Sequence, residues 1–197
     1  MKFTACTLFA ALGLTFPAVA SDWDTWSVGI VGGYVLQQQR DILGNGVDLD
    51  GAYVGVRVGK WFVQDGFVRG ADAIAAIGGA YRQYTDGSLS GVRKDLASLA
   101  VRGKIGTLMG NGLAYAAIGP KVVASHSKFT WDSPPYFVSS DRVLGATWAT
   151  AAVGIEYKVS PNFGLVGEIE ISTRLFTPAD VSLTSYAATA GLNWYLD

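Results

Sequence analysis

The sequence predicts an all-β protein, with eight antiparallel strands that run up and down and close into a barrel spanning a membrane. Three observations predict this fold. Apolar residues recur with a period of two, short connections alternate with long ones, and only 16% of the 197 residues are charged. Soluble domains carry about 25% charged residues. A chain this short cannot form a core large enough to account for its lower charged fraction. A surface that faces lipid explains the deficit.

The first twenty residues predict a cleavable signal peptide. Lys2 supplies a positive charge, an apolar stretch runs from Phe3 to Phe16, and Ala18-Val19-Ala20 has the small-x-small form of a cleavage site. An apolar stretch of this length is too short to span a bilayer as a helix. We therefore expect residues 1–20 to be removed, together with the only cysteine, and residues 21–197 to form one barrel domain.

Two-residue alternation predicts where the strands lie. Glu168 and Glu170, for example, alternate with Ile169 and Ile171, and neighbouring residues of a strand point to opposite faces. Helix packing has no use for this pattern, whereas a two-faced sheet requires it. Eight segments show it: 26–38, 51–63, 67–84, 95–109, 113–127, 145–159, 163–175 and 181–196.

The connections between these segments alternate strictly between short and long. The short ones carry Gly, Asn or Pro, which suit tight turns: Gln64-Asp65-Gly66, Gly110-Asn111-Gly112 and Ser160-Pro161-Asn162. The long ones are polar and lie at 39–50, 85–94, 128–144 and 176–180. Membrane barrels have short periplasmic turns and longer external loops. With an even strand number, both termini are expected on the periplasmic side.

Alternation alone does not decide which face is apolar, because a soluble barrel has an apolar lumen and a membrane barrel a polar one. The few charges, and the small residues that flank long charged ones on the polar faces, favour the membrane barrel. Aromatic residues at the strand ends favour it too. They predict a periplasmic belt and an outer belt: Trp23, Trp26, Trp61, Phe62, Phe67, Tyr157, Phe163, Trp194 and Tyr195, and then Tyr81, Tyr84, Phe129, Trp131, Tyr136, Phe137 and Phe176.

The signal peptide and two segments carry a family resemblance. The segments are a Gly-rich first strand at 26–34 and a last strand whose apolar residues alternate from Tyr186 to Leu196. The mature chain resembles the small outer-membrane β-barrel proteins of the OmpX, OmpA-barrel and opacity-porin type. The resemblance implies residence in the outer membrane of a Gram-negative bacterium, contact with lipid and lipopolysaccharide, and insertion by the barrel-assembly machinery. It specifies architecture better than function.

The polar face of the predicted strands gathers most of the charges. An eight-stranded barrel has a lumen just wide enough for side chains to fill, and unpaired charges would be costly there. We therefore expect a paired internal network that closes the barrel, with a narrow ion path as the alternative. The inward-facing set is Arg57, Asp72, Arg82, Arg102, Lys104, Lys121, Glu156, Lys158, Glu168, Glu170 and Arg174.

Two patterns raise the question of catalysis. Glu168 and Glu170 share a face, but neither a nucleophile nor an open pocket accompanies them. His126 lies between Ser125 and Ser127, and outer-membrane lipid A deacylases resemble this with a His-x-Ser pattern followed by Asn. Here the serine falls one position short, which puts it on the face opposite the histidine, and the Asn is missing. We predict no catalytic, metal-ligating or cofactor-binding residue, since a lone histidine also makes a poor metal site.

The function expected from these features is non-enzymatic: a contribution to envelope integrity, or surface interaction through external loops. The alternatives are a lipid A-modifying hydrolase and a very small channel. The aromatic, proline-containing loop 128–144 is a candidate binding surface, although a loop without a partner explains it equally well. A net charge of −1 gives no basic surplus for nucleic acid. The sequence names no surface ligand.

Overall fold

The structure, a computed structural model, describes residues 23–41, 46–64, 67–86, 89–133, 136–176 and 181–196. The signal peptide predicted for residues 1–20 lies outside this part and stays a prediction. No helix in the described ranges is long and apolar enough to cross a membrane. The strands are β1 (Trp26–Asp41), β2 (Gly46–Gln64), β3 (Phe67–Gly78), β4 (Tyr81–Asp86), β5 (Leu89–Met109), β6 (Gly112–Ser133), β7 (Tyr136–Ser160), β8 (Phe163–Arg174) and β9 (Val181–Leu196).

The strands form one closed antiparallel ring. β1 pairs with β2 on one side and with β9 on the other, which joins the two ends of the sheet. β3 and β4 both pair with β5 and are the two halves of one interrupted barrel strand, so the ring has eight strands as predicted. We call the end where β1 begins and β9 ends the terminal end, and the opposite end the loop end.

The interruption between β3 and β4 is a glycine kink. Gly78 and Gly79 have φ angles of 85° and 135°, a region that glycine occupies without the clash a Cβ would cause. The neighbouring strand β5 shifts register between Asp95 and Ala97, and the Asp95 amide donates a 2.8 Å hydrogen bond to the Ala80 carbonyl. The kink and the bulge therefore bend the barrel wall at one level, near the loop end.

The barrel is apolar outside and polar inside. Ile169 and Ile171 are 64% and 46% exposed. Glu168 and Glu170, which alternate with them along β8, are 6% and 7% exposed. The same inversion runs around the ring, with exposed outward side chains at Ile30, Val56, Val101, Ile105, Ile118 and Val153. Burying charges while exposing aliphatic side chains is unfavourable in water and is the arrangement that a bilayer requires. The predicted face assignment is confirmed.

The predicted long connections are the part of the fold that the sequence placed wrongly. β6 and β7 continue as a paired ribbon to Ser133 and Tyr136, through most of the loop predicted at 128–144. The β4–β5 hairpin likewise occupies most of 85–94, and β1 and β2 extend into 39–50. Outside the lipid, both faces of a ribbon can be polar, so these strands lack the alternation that the prediction required.

The aromatic residues at the terminal end divide between two environments. Trp26, Phe62, Phe67 and Trp194 are 41–60% exposed and form the expected belt on the outside. The prediction is wrong for Trp23, Trp61 and Tyr195, which are at most 2% exposed and fill the lumen. Trp61 and Tyr195 occupy inward-facing positions of their strands, and their rings close the terminal end of the barrel. At the loop end, Tyr81, Trp131, Phe137 and Phe176 are exposed, while the side chains of Tyr84 and Tyr136 lie outside the described set.

Candidate functional site

Arg102 is the centre of the charge network inside the barrel. It lies mid-strand on β5, where alternation turns it inward, and it is 1% exposed. Its Nε and Nη2 each donate to Asp72 on β3 at 3.0 Å. Its Nη1 and Nη2 donate to Glu168 on β8 at 2.5 and 3.0 Å. One planar guanidinium thus joins carboxylates on two separate strands across the lumen in two-pronged contacts.

Two more cations complete the network. Arg57 Nη2 lies 2.7 Å from Asp72 Oδ2, and Lys104 Nζ lies 3.6 Å from the same oxygen. The Tyr115 hydroxyl donates to Glu168 at 2.8 Å and accepts from Arg57 at 3.3 Å. Asp72 and Glu168 therefore each face at least one cation, which offsets the cost of removing their charges from water.

A second, smaller group lies on the loop-end side of Arg102. Lys121 Nζ contacts Glu170 Oε1 at 2.8 Å. The Ser172 hydroxyl also donates to Glu170 at 2.9 Å, and it lies 3.1 Å from the Thr150 hydroxyl. Glu170 is thus held by a cation and a hydroxyl rather than poised beside a nucleophile.

The terminal end is closed by aromatic rings around a single carboxylate. Glu156 is 0% exposed and accepts hydrogen bonds from Trp61 Nε1 at 3.1 Å, Asn193 Nδ2 at 2.5 Å and the Tyr195 hydroxyl at 2.9 Å. Trp23, just before β1, packs edge-on against Tyr195 with ring centroids 5.9 Å apart. These side chains fill the lumen at the terminal end.

Most of the inward charges predicted from the sequence meet in these clusters. The three groups just described contain Arg57, Asp72, Arg102, Lys104, Lys121, Glu156, Glu168 and Glu170. Lys158 instead lies over the rings of Trp23 and Tyr195, and Arg82 donates to the Asp48 carbonyl at the loop end. Sequence reasoning missed the hydrogen-bonding roles of Trp61, Tyr115, Asn193 and Tyr195. The inward alternation of their strands was the signal that could have found them.

A cavity of about 50 Å³ lies in the lumen between the Arg102 network and the loop end. Gln37, Asp95, Trp148 and Ser185 are among its lining residues, together with Glu170 from the group around Lys121. Polar and apolar side chains both line the cavity, whereas the exterior of the barrel is apolar.

A four-stranded sheet projects beyond the rest of the barrel at the loop end. β8 ends at Arg174, opposite Trp148 of β7, but β7 continues back to Tyr136 paired with β6 alone. On the other side of β6, β5 pairs with β6 up to Leu89, and β4 pairs with β5 up to Asp86. We call this four-stranded region the projecting sheet. From residue 136 to 146, no described residue pairs with the edge of β7 that faces away from β6.

His126 lies on the outside of this sheet, away from the lumen. Its Nε2 is 2.6 Å from Asp141 Oδ1 of β7. Ser127 occupies the opposite face of the strand, because neighbours alternate, and Glu156 is sealed inside at the terminal end. The structure therefore places an acid, Asp141, beside His126 but not Ser127, so the three side chains that a hydrolase would require are not brought together.

Comparisons with known proteins give a result at the level of structure. No family model matches the chain, and no curated protein matches its sequence. The crystal structure of Ail, the attachment invasion locus protein of Yersinia pestis, matches with a TM-score of 0.50 and 14% identity, over 86% of this chain and 99% of that one. The outer membrane protein OprG from Pseudomonas aeruginosa matches with a TM-score of 0.53 and 7% identity, over 87% and 96%.

A second Ail structure, in complex with the heparin analogue sucrose octasulfate, matches with a TM-score of 0.51 and 16% identity, over 86% of this chain and 99% of that one. At these identities the likeness concerns the fold. The shared barrel architecture, taken with an exterior built for lipid and a lumen filled with paired charges, shows that the chain has the fold of the small transmembrane β-barrels.

Proposed function

We propose that this protein is a non-enzymatic outer-membrane barrel that presents its projecting sheet for recognition of a partner at the cell surface. The observation that carries the proposal is the edge of β7 from residue 136 to 146, with which no residue in the described ranges pairs. A free edge offers a row of backbone donors and acceptors to any extended strand, and adding such a strand is a recurring mode of peptide recognition.

Side chains next to this edge add to its capacity for binding. Phe137 and Val143 share one face of β7 and are 67% and 65% exposed, and Trp131 on β6 is 45% exposed on the opposite face of the ribbon. Exposed apolar groups on a surface that faces water are a feature of interaction sites. An extended partner with apolar side chains at alternate positions would gain backbone hydrogen bonds and apolar burial together.

The rest of the barrel supports a role as a scaffold. The Arg102 network and the cluster around Glu156 fill the lumen with ion-paired and hydrogen-bonded side chains. A solute pathway would need some of these charges to face water instead. The rigid barrel therefore holds the projecting sheet at a defined height above the membrane.

Adhesion by cells that display the protein tests the proposal. Cells carrying the wild-type chain are compared with cells carrying Phe137→Ser/Val143→Ser for attachment to immobilised extracellular proteins. The double variant is expected to lose attachment, because both side chains flank the free edge. Phe176→Ser is the matched control, since Phe176 is 91% exposed at the loop end but lies outside the projecting sheet. Equal attachment by all three would contradict the proposal.

The non-enzymatic part has a separate test. Expression of the protein is expected to leave the mass spectrum of cellular lipid A unchanged. A new deacylated species that disappears with His126→Ala would show the hydrolase alternative to be correct, despite the distance between His126 and the buried acid Glu156.

A further inference from the structure

The backbone groups that face the edge of β7 can be assigned residue by residue. The Lys158 amide donates to the Asn111 carbonyl, just before β6, and the Thr147 carbonyl accepts from the Leu175 amide, just beyond β8. Alternate residues of a strand bond to opposite neighbours, so even-numbered residues of β7 bond toward β6 and odd-numbered residues toward the β8 side. The β6–β7 pairing runs to the loop end without a register shift. The N–H and C=O groups facing the edge beyond β8 are therefore those of residues 137, 139, 141, 143 and 145.

Side chains on both faces of this edge are open to solvent. Phe137, Asp141 and Val143 are exposed on the outer face, and Val138 and Arg142 are exposed on the lumen-side face. A strand that pairs with the edge would therefore contact a defined row of side chains on each face. The order of these side chains restricts the sequence that such a strand can have.

The edge is complementary to itself in one antiparallel register. In that register Ser140 of one copy lies opposite Ser140 of the other. Phe137 then faces Val143, and these are the two most exposed apolar side chains of the described edge. Ser139 faces Asp141, and a serine hydroxyl can donate to a carboxylate. Each of these pairs occurs twice by symmetry and joins odd-numbered residues, so their backbone groups meet as hydrogen-bonded pairs.

The neighbouring registers that also match the backbone groups are less favourable. A shift of two residues in one direction places Asp141 opposite Asp141, and like charges directly opposite destabilise a sheet. A shift of two residues in the other direction places Phe137 opposite Asp141. In the favoured register no like charges are opposite, and on the lumen-side face Val138 lies against Arg142, whose aliphatic stem can cover it.

The antiparallel register also determines where the second copy lies. β7 runs from Tyr136 at the loop end to Ser160 at the terminal end. Two copies in one membrane have their loop ends on the same side, so their β7 strands run in the same sense and do not pair antiparallel. A copy in an opposing membrane is inverted, and the two β7 edges then meet about a twofold axis. The projecting sheet stands beyond the rest of the barrel wall, where an inverted copy can reach it.

We propose that the partner of the projecting sheet is a second copy of this chain in the membrane of a neighbouring cell, bound by antiparallel pairing of β7 residues 137–143 about Ser140. This inference rests on the proposed function and names its partner. One contact involves a single short strand from each copy. A cell surface presents many copies, and simultaneous contacts raise the overall affinity without any new kind of interaction.

Aggregation between two differently coloured cell populations tests the inference. Mixed aggregates, counted by flow cytometry, are expected when both populations display the wild-type chain and not when only one does. Ser139→Asp on both populations puts a second carboxylate opposite Asp141 in both symmetric pairs and should lower the count roughly tenfold. Mixing Ser139→Asp cells with Asp141→Lys cells should restore aggregation, because the introduced charges are opposite in sign and face each other.

Thr85→Asp is the matched control and should leave aggregation unchanged. It adds the same charge at an exposed position of β4, the strand of the projecting sheet farthest from β7. The amount of each variant in the outer-membrane fraction is measured, so that cells with equal display are compared.

Four results would overturn the inference: no mixed aggregates between wild-type populations, aggregation when only one population displays the chain, undiminished aggregation of Ser139→Asp cells, or no recovery with the mixed variants. The proposed function is judged separately by attachment to immobilised extracellular proteins. If that attachment needs Phe137 and Val143 while aggregation fails, the projecting sheet binds a different partner and the proposed function stands.

Discussion

Replacing Arg102 with glutamine should destabilise the barrel more than any other single change of a lumen side chain. Arg102 supplies four hydrogen bonds of 2.5–3.0 Å to Asp72 and Glu168 from a site that is 1% exposed. Asp72 would keep Arg57 and Lys104, but Glu168 would keep only the Tyr115 hydroxyl. Removing one partner of a buried ion pair costs about 3–5 kcal/mol, because the remaining charge stays buried.

Reversible folding into lipid vesicles in urea measures this loss. With a slope of about 2 kcal/mol per molar urea, the midpoint of Arg102→Gln should fall by roughly 2 M. Adding Glu168→Gln removes the stranded charge, so the double variant should be more stable than Arg102→Gln alone. Arg69→Gln is the control and should cost less than about 1 kcal/mol, as exposed pairs do. If the two lumen substitutions add without coupling, the reasoning about a shared ion pair is refuted.

Three further predictions concern the wall and the lumen. Ile169→Arg places a charge in lipid and should cost about 2–4 kcal/mol of folding free energy in vesicles, whereas Ile169→Leu should be nearly neutral; equal stability of the two would reverse the face assignment. Gly154→Ala should cost about 1–3 kcal/mol, because the new Cβ would lie 2.6 Å from the Tyr115 ring, while Gly167→Ala meets open space and should cost little. Purified protein in planar bilayers should show no stable porin-sized current, and a steady one would contradict a lumen closed around Glu156.

Physical constraints of the bilayer explain why the sequence predicted so much of the fold. In lipid every backbone group must pair within the protein, and every side chain must suit lipid on one face and the lumen on the other. These demands leave a two-residue pattern over each membrane-spanning segment, as at Glu168 and Ile169. The strand number, the antiparallel order, the apolar exterior and the inward position of Arg102 all follow from that pattern and from the tight turns.

Outside the lipid the same pattern disappears, and the sequence lost its predictive value there. The ribbon of β6 and β7 beyond Ser127 resembles a loop in composition, because water satisfies polar side chains on both of its faces. Its extension into the projecting sheet, past the end of β8 at Arg174, depends on cross-strand hydrogen bonding that the local sequence pattern does not show.

The composition of the lumen shows the same division. Alternation determined that Glu156, Glu168 and Arg102 face inward. Only the tertiary structure decided that Arg102 joins Asp72 to Glu168, while Glu156 is held by Trp61, Asn193 and Tyr195. Which charges meet depends on the tilt and stagger of strands far apart in the chain. The same geometry brought Gln37 and Trp148 into one cavity, because their separation in sequence carries no information about their distance across the barrel.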